Sequence, residues 1–265
     1  MQKNQIKDKN IIITGANTGI GYETALDLAK QGARVIIACR DAKKANEACS
    51  KIKEQSQNDK VEVELIDLSK LNSIKEFADR IKLKLNRLDV LINNAGLVQN
   101  YYSKTEDGLE TSFAVNYIGP YYLTRLLLDL LKKSAPSRII NVSSVGHKGV
   151  KLRWDNLQAE QFFFSFQQYI HTKLMNVLFT NELARRLKDS GVIAVSLHPG
   201  VVSTDIMRLD ENTSYLMRFI NGWAWIYFRL FGLSAYQGSR TSVYCATNND
   251  VLNHNGGYYE FVQFF

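Results

Sequence analysis

Tyr169 and Lys173 stand four residues apart, a spacing that could move a proton. A phenol ionises near pKa ~10 in water, and the side chain at i+4 of a helix lies on the same face one turn along. The Lys173 ammonium would therefore favour the phenolate and make Tyr169 a better proton donor to an oxygen. The plainer alternative is an interfacial aromatic beside a solvated helix lysine. A second chemical signal is Thr14-Gly-Ala-Asn-Thr-Gly-Ile-Gly21, which follows the β-branched run Ile11-Ile-Ile13. The run reads as a buried parallel strand that turns sharply into a helix at about Gly19. Such a helix aims unpaired N–H groups and its positive end at whatever lies above the strand, and glycine lets a pyrophosphate come close. The spacing is G-x-x-x-G-x-G rather than G-x-G-x-x-G.

Two further groups have the right chemistry. The adjacent pair Ser143-Ser144 closes an expected strand, where serine either caps a turn or donates a hydrogen bond. Asn116 precedes Pro120 by four residues within an expected helix. Proline has no N–H, so the Asn116 carbonyl should lose its helical partner, kink the helix and leave a place that a water could take. The alternative there is a packing kink, with Gly119 allowing close helix contact.

The elements that must position these residues alternate along the chain. Strands are expected at 11–14, 34–39, 61–66, 88–93, 138–143, 192–197 and 257–262, with helices over about 22–31, 43–55, 73–85, 109–133 and 168–188. This is an α/β pattern, a doubly wound, mostly parallel, Rossmann-like sheet in a single domain spanning 1–265. In such folds ligands bind beyond the carboxyl ends of the strands. Those ends carry Thr14-Gly15, Cys39-Arg40, Asp67-Leu68, Asn93-Asn-Ala-Gly96, Ser143-Ser144 and His198-Pro-Gly200, a polar and glycine-bearing set.

Composition excludes several classes. The net charge of +7 comes from lysines and arginines interspersed with acids on helix faces, as in Asp41-Ala-Lys-Lys-Ala-Asn-Glu47, so no nucleic-acid partner is expected. Three scattered cysteines, Cys39, Cys49 and Cys245, suggest a reducing compartment, and four histidines without ligand spacing give no metal site. The polar stretch Met1–Asn10 has no apolar core for a signal peptide or anchor, so a cytoplasmic chain is expected.

Taken together, Thr14–Gly21, Asn93–Gly96, Asn116, Asn141-Val-Ser-Ser144, Tyr169-x-x-x-Lys173 and Pro199-Gly200 resemble the short-chain dehydrogenase/reductase family over nearly the whole chain. Ala38-Cys-Arg40, Tyr102-Ser-Lys-Thr-Glu-Asp-Gly108, Asn141–Val145 and His198-Pro-Gly-Val-Val202 are most similar to its retinol dehydrogenase branch. The resemblance implies hydride transfer between a nicotinamide cofactor and a carbonyl or alcohol. It makes Tyr169 the proton donor, Ser144 the hydroxyl that holds the substrate oxygen as charge develops, and Ser143 a shaper of the turn. Lys173 would serve the phenol and the nicotinamide ribose, and the Asn116 backbone would hold a water touching that lysine, giving a relay Tyr169, Lys173, water, Asn116. On the cofactor side the resemblance implies Gly15, Asn17, Thr18, Gly19, Ile20 and Gly21 in the turn, and Asp67 with Leu68 at the adenine. Asn94, Ala95 and Gly96 would lie beneath the adenosine ribose, and Pro199, Gly200, Val202 and Thr204 near the nicotinamide. Where NAD enzymes place a carboxylate for the ribose diol, this chain has Cys39 and Arg40. An arginine suits a 2′-phosphate and hence NADP(H); the alternative is a solvated Arg40 with Asp41 on the diol.

The substrate side is carried by aromatics. The interval from Ser144 to Tyr169 leaves room for a lid containing Phe162-Phe-Phe164 and Phe166, and the apolar stretch Tyr215–Phe231 falls within a flap at about 203–235. Arg218, Asn221 and Arg229 make that stretch a poor membrane span. A flap over a lipophilic substrate, such as a retinoid, a steroid or a long-chain aldehyde, is the expectation; a core helix and a peripheral membrane contact through 215–231 are the alternatives. The resemblance allows a homodimer. Members of the branch often carry an amino-terminal anchor and further helix after the last strand, and neither is read in this sequence. An NADP(H)-binding regulator without turnover and a peripheral membrane module are the competing functions.

Overall fold

β-branched runs become the central sheet of the computed structural model, which describes residues 6–202 and 232–264. Its strands are β1 (Asn10–Thr14), β2 (Arg34–Cys39), β3 (Val61–Leu65), β4 (Val90–Asn93), β5 (Ser137–Val142), β6 (Val192–His198), β7 (Tyr258–Glu260) and β8 (Gln263–Phe264). They lie in the order β3-β2-β1-β4-β5-β6-β7-β8, parallel throughout except for β8, which runs back along β7. The chain winds outward in opposite directions from β1 and β4, and that reversal opens a crevice above their carboxyl ends.

Helices cover both faces, which is why the strands read as unbroken apolar runs rather than alternating ones. Successive side chains of a strand point to opposite faces. Ile11 and Ile13 accordingly join Leu28 of α1 (Gly19–Lys30), Ile52 of α2 (Ala42–Ser56) and Val243 of α7 (Ala235–Thr247) in one core. Ile12 joins Phe77 of α3 (Leu71–Lys84), Leu127 of α5 (Gly119–Lys133) and Phe179 of α6 (Ser165–Arg186) in the other. Among the described residues no helix is long and apolar enough to cross a membrane.

Two expectations change. The last strand was expected to run through Val262 but ends at Glu260, and Phe261 and Val262, with φ of 49° and 64°, turn the chain back into β8. A two-residue hairpin turn of this type, I′, needs positive φ at both central positions to match strand twist, a task usually given to Asn-Gly. Phe-Val reads as strand because both residues are strong β-formers. The second change is at Pro120. Instead of a simple kink, α4 (Thr111–Phe113) widens into a π-helical turn, Ala114–Ile118, before α5 begins, and the Gly119 N–H donates to the Ala114 carbonyl.

Candidate active site

The glycine turn is held by contacts that only glycine permits. Gly15 has φ +66°, and a Cβ there would stand 3.0 Å from the Ala95 Cα. At Gly21 a Cβ would be 2.4 Å from the Gly15 carbonyl oxygen and 2.6 Å from Asn94 Nδ2. The third glycine therefore lets α1 start directly against the ends of β1 and β4. Asn94 fastens those ends, its Nδ2 donating to the Thr14 carbonyl at 2.9 Å, while the backbone N–H groups of Asn94 and Ala95 both donate to Thr14 Oγ1 at 3.0 Å. Thr18, the residue before α1, makes no side-chain cap, so its hydroxyl does not take up the first-turn amides of Gly19, Ile20 and Gly21. That is the donor set a pyrophosphate needs.

At the neighbouring strand end the Gly15 N–H donates to the Ala38 carbonyl at 2.9 Å, and the amides of Ala16 and Asn17 face the Cys39 sulfur. Burial pushes that thiol up to about 11. Arg40 follows, exposed, with no ion pair to it among the described residues. Asp41 is occupied otherwise: its Oδ1 accepts the Lys44 N–H at 3.0 Å and caps α2. Asp67 closes its own turn, Oδ1 accepting from the Ser69 N–H at 2.9 Å and the Ser69 hydroxyl at 2.7 Å. Leu68 is buried beneath α5, where a Cβ on Gly119 would stand 2.8 Å from the Leu68 carbonyl oxygen. Gly119 thus lets α5 start close against the turn between β3 and α3, rather than against another helix.

Ser144, Tyr169 and Lys173 come together at the ends of β5 and α6. The two serines divide: Ser143 is buried and donates to the Lys173 carbonyl at 2.7 Å, whereas the hydroxyl of half-buried Ser144 faces the Tyr169 phenol. Lys173 is 2% exposed, donates from Nζ to the Val142 carbonyl at 3.0 Å, and lies 5.5 Å from the centre of the Tyr169 ring. The expected lowering of the phenol by the ammonium is not what this environment produces. Burial pushes Tyr169 up to about 12, with Ser144 pulling it partly back, and brings Lys173 down to about 8. Desolvation disfavours the charged form of each. Tyr169 therefore keeps its proton at neutral pH.

Asn116 sits in the π turn, fully buried. Its side chain clamps Leu97 in both directions, Nδ2 donating to the Leu97 carbonyl at 2.8 Å and Oδ1 accepting the Leu97 N–H at 2.9 Å. The carbonyl that Pro120 cannot serve is not left open, because Asn176 Nδ2 donates to it at 3.0 Å. Gly96, beside Leu97, is where these groups converge: a Cβ there would lie 3.2 Å from Lys173 Nζ and 3.5 Å from Asn116 Oδ1. The absence of a side chain leaves Gly96 bare against the lysine.

On the far side Gly200 takes φ +89°, and a Cβ on it would meet Leu233 at 2.4 Å. Gly238 of α7 packs against the Pro199 carbonyl, Ile20 and Val202, joining the end of β6 to the start of α1. Val202 bridges Leu233 in parallel, and the Leu233 N–H donates to the Val201 carbonyl at 2.8 Å. Thr204 and the stretch 215–231 lie outside the described residues. The segment before Tyr169 exposes Trp154, Phe162, Phe164 and Phe166, with Phe166 stacked on Tyr169 at 6.2 Å.

Several participants have no motif to announce them. Asn176 is a buried residue whose role lies entirely in a partner distant in sequence. The turn after Ser144 is fastened to β7 by the His147 ring on Tyr258, 4.8 Å between centres, and by Lys148 to Glu260 at 2.8 Å. A histidine and a lysine three and four residues after Ser144 were the available signal.

The model of the family described as short chain dehydrogenase matches residues 9–214. Retinol dehydrogenase 12 of Mus musculus is 47% identical over 255 residues, an alignment covering 96% of this chain and 78% of that protein. Retinol dehydrogenase 11 of Homo sapiens is 46% identical over 253 residues, with 95% and 77% covered. A crystal structure of an uncharacterized protein from Mycobacterium Paratuberculosis superposes with a TM-score of 0.74 at 31% identity, covering 97% of this chain and 81% of that one.

Proposed function

Because the chain belongs to the short-chain dehydrogenase/reductase family, in its retinol dehydrogenase branch, we propose that it transfers a hydride between NADP(H) and the carbonyl or alcohol carbon of a lipophilic substrate. A retinoid, a steroid and a long-chain aldehyde fit this description. The observation that carries the reading is the meeting of Ser144, Tyr169 and Lys173 at the strand ends beside an open helix N-terminus. The nicotinamide, when bound, supplies or accepts the hydride. Tyr169 holds the proton that the carbonyl oxygen must gain, and Ser144, facing that phenol, is the second donor to the same oxygen. Lys173 spends one N–H on the Val142 carbonyl and has others for a ribose hydroxyl. A phenol held near 12 carries its proton across the neutral range.

Choice of NADP(H) rests on Arg40, exposed at the end of β2, together with the capping role that occupies Asp41. A guanidinium matches a phosphate bidentately. The preference for an apolar substrate rests on the exposed Trp154, Phe162, Phe164 and Phe166 and on the names of the relatives. The same reading keeps the chain in the cytoplasm, with contact at a membrane surface through 215–231 testable by vesicle sedimentation.

The test is NADPH oxidation with retinal, steroids and aliphatic aldehydes, using Tyr169→Phe as the control. Turnover of at least one substrate is expected, falling about 10²- to 10⁴-fold in the variant. No turnover on any of them, with NADPH still bound, would overturn the enzymatic reading in favour of a cofactor-binding regulator.

A further inference from the structure

Asn176 is a buried amide, 5% exposed, that the proposed reaction does not use. It lies one turn beyond Lys173 on α6 and donates from Nδ2 to the Asn116 carbonyl at 3.0 Å. That is the acceptor for which Pro120 has no hydrogen. The backbone of Asn176 is held in turn, its carbonyl accepting from Thr180 Oγ1 at 2.7 Å. Thr180 Oγ1 accepts from Asn141 Nδ2 at 2.9 Å, and Asn141 Oδ1 accepts from Asn93 Nδ2 at 2.8 Å. A continuous chain of hydrogen bonds therefore runs from the middle of the sheet, through α6, to the π turn. From the π turn the Asn116 side chain clamps Leu97, next to the glycine over which Lys173 Nζ and Asn116 Oδ1 converge.

We propose that Asn176 is a positioning residue whose amide stands in for the N–H missing at Pro120, locking the π turn to α6 so that Asn116 keeps Gly96 and Leu97 fixed against Lys173. This rests on the hydride-transfer reading above. The sheet anchors the amide from behind, and without it the buried Asn116 carbonyl would lose this donor. Leucine has a similar volume and no donor, so Asn176→Leu removes the bond while keeping the packing.

The experiment compares the full chain with Asn176→Leu and with Pro120→Ala/Asn176→Leu, in which residue 120 regains an N–H. For the substrate that wild type turns over, Asn176→Leu is expected to lower kcat on the order of tenfold with KM little changed. It should also displace the pH limb that Lys173 sets, and the double variant should recover part of both losses. A second readout does not depend on turnover. In the NADPH-bound chain, hydrogen exchange at the Leu97 amide, which donates to Asn116 Oδ1, is expected to quicken in Asn176→Leu and to slow again in the double variant. Unchanged exchange at Leu97 overturns the proposal whether or not a substrate has been found. So does a kcat loss that leaves the pH profile in place and is not recovered by Pro120→Ala. Absence of wild-type turnover with the exchange pattern as expected would instead count against the hydride-transfer reading alone.

Discussion

The two sides of the cleft are built differently. On the cofactor side the decisive contacts are between backbones, and side chains are excluded: a Cβ at Gly21 would sit 2.4 Å from a carbonyl oxygen, and one at Gly15 3.0 Å from a neighbouring Cα. On the side proposed for the substrate the surface is made of large exposed side chains, Trp154 at 76%, Phe162 at 58% and Phe164 at 53%. Contacts between backbones leave one acceptable residue at each position. Contacts made by exposed rings leave many, since replacing one ring alters the shape of the rim and nothing beneath it. The first side can therefore keep a single ligand through great divergence, while the second can change its ligand cheaply.

The contrast can be broken or sharpened by substitution. Gly21→Ala should give the largest effect, because the carbonyl it strikes belongs to the turn itself; NADPH binding followed by fluorescence is expected to weaken at least about 100-fold, and near-normal binding would show that the turn is softer than drawn. Arg40→Ala should weaken NADPH about 10- to 100-fold and leave NADH unchanged. An intact preference for NADPH would remove Arg40 from the cofactor's recognition. For Lys173 the sign follows from its position near 8: the ammonium is present below that pH and lost above it, so reduction should decline as pH rises through about 8. Lys173→Arg, which cannot lose its charge in this range, should flatten that limb in a pH–kcat profile. Phe164→Ser should have the smallest effect, raising KM a few-fold for a long substrate but not for a short aldehyde, with stability changed by no more than about 0.5 kcal/mol as judged by thermal melting.

The sheet and the residues at its edges could be read from the chain because each is encoded locally. Ile11 to Ile13 can only be a buried strand in this context, and Thr14-Gly15 marks its end. What escaped reading is encoded by partners far away. Asn176 looks like any polar helix residue until Pro120, more than fifty positions earlier, is seen to need it. The tyrosine and lysine were found by spacing, yet their proton affinities depend on burial, which spacing does not express, and the sense of the Tyr169 shift came out reversed. The Phe261-Val262 turn defeats propensity outright, since both residues favour the strand that they interrupt.

The bridge between Val202 and Leu233 has a mechanical consequence. Leu233 also fills the space that a side chain on Gly200 would need, and it leads directly into the capped start of α7, where Gly238 packs on Val202. The turn after β6 and the first turn of α7 are therefore one fastened unit, and a substitution that pushes on either is felt by the other.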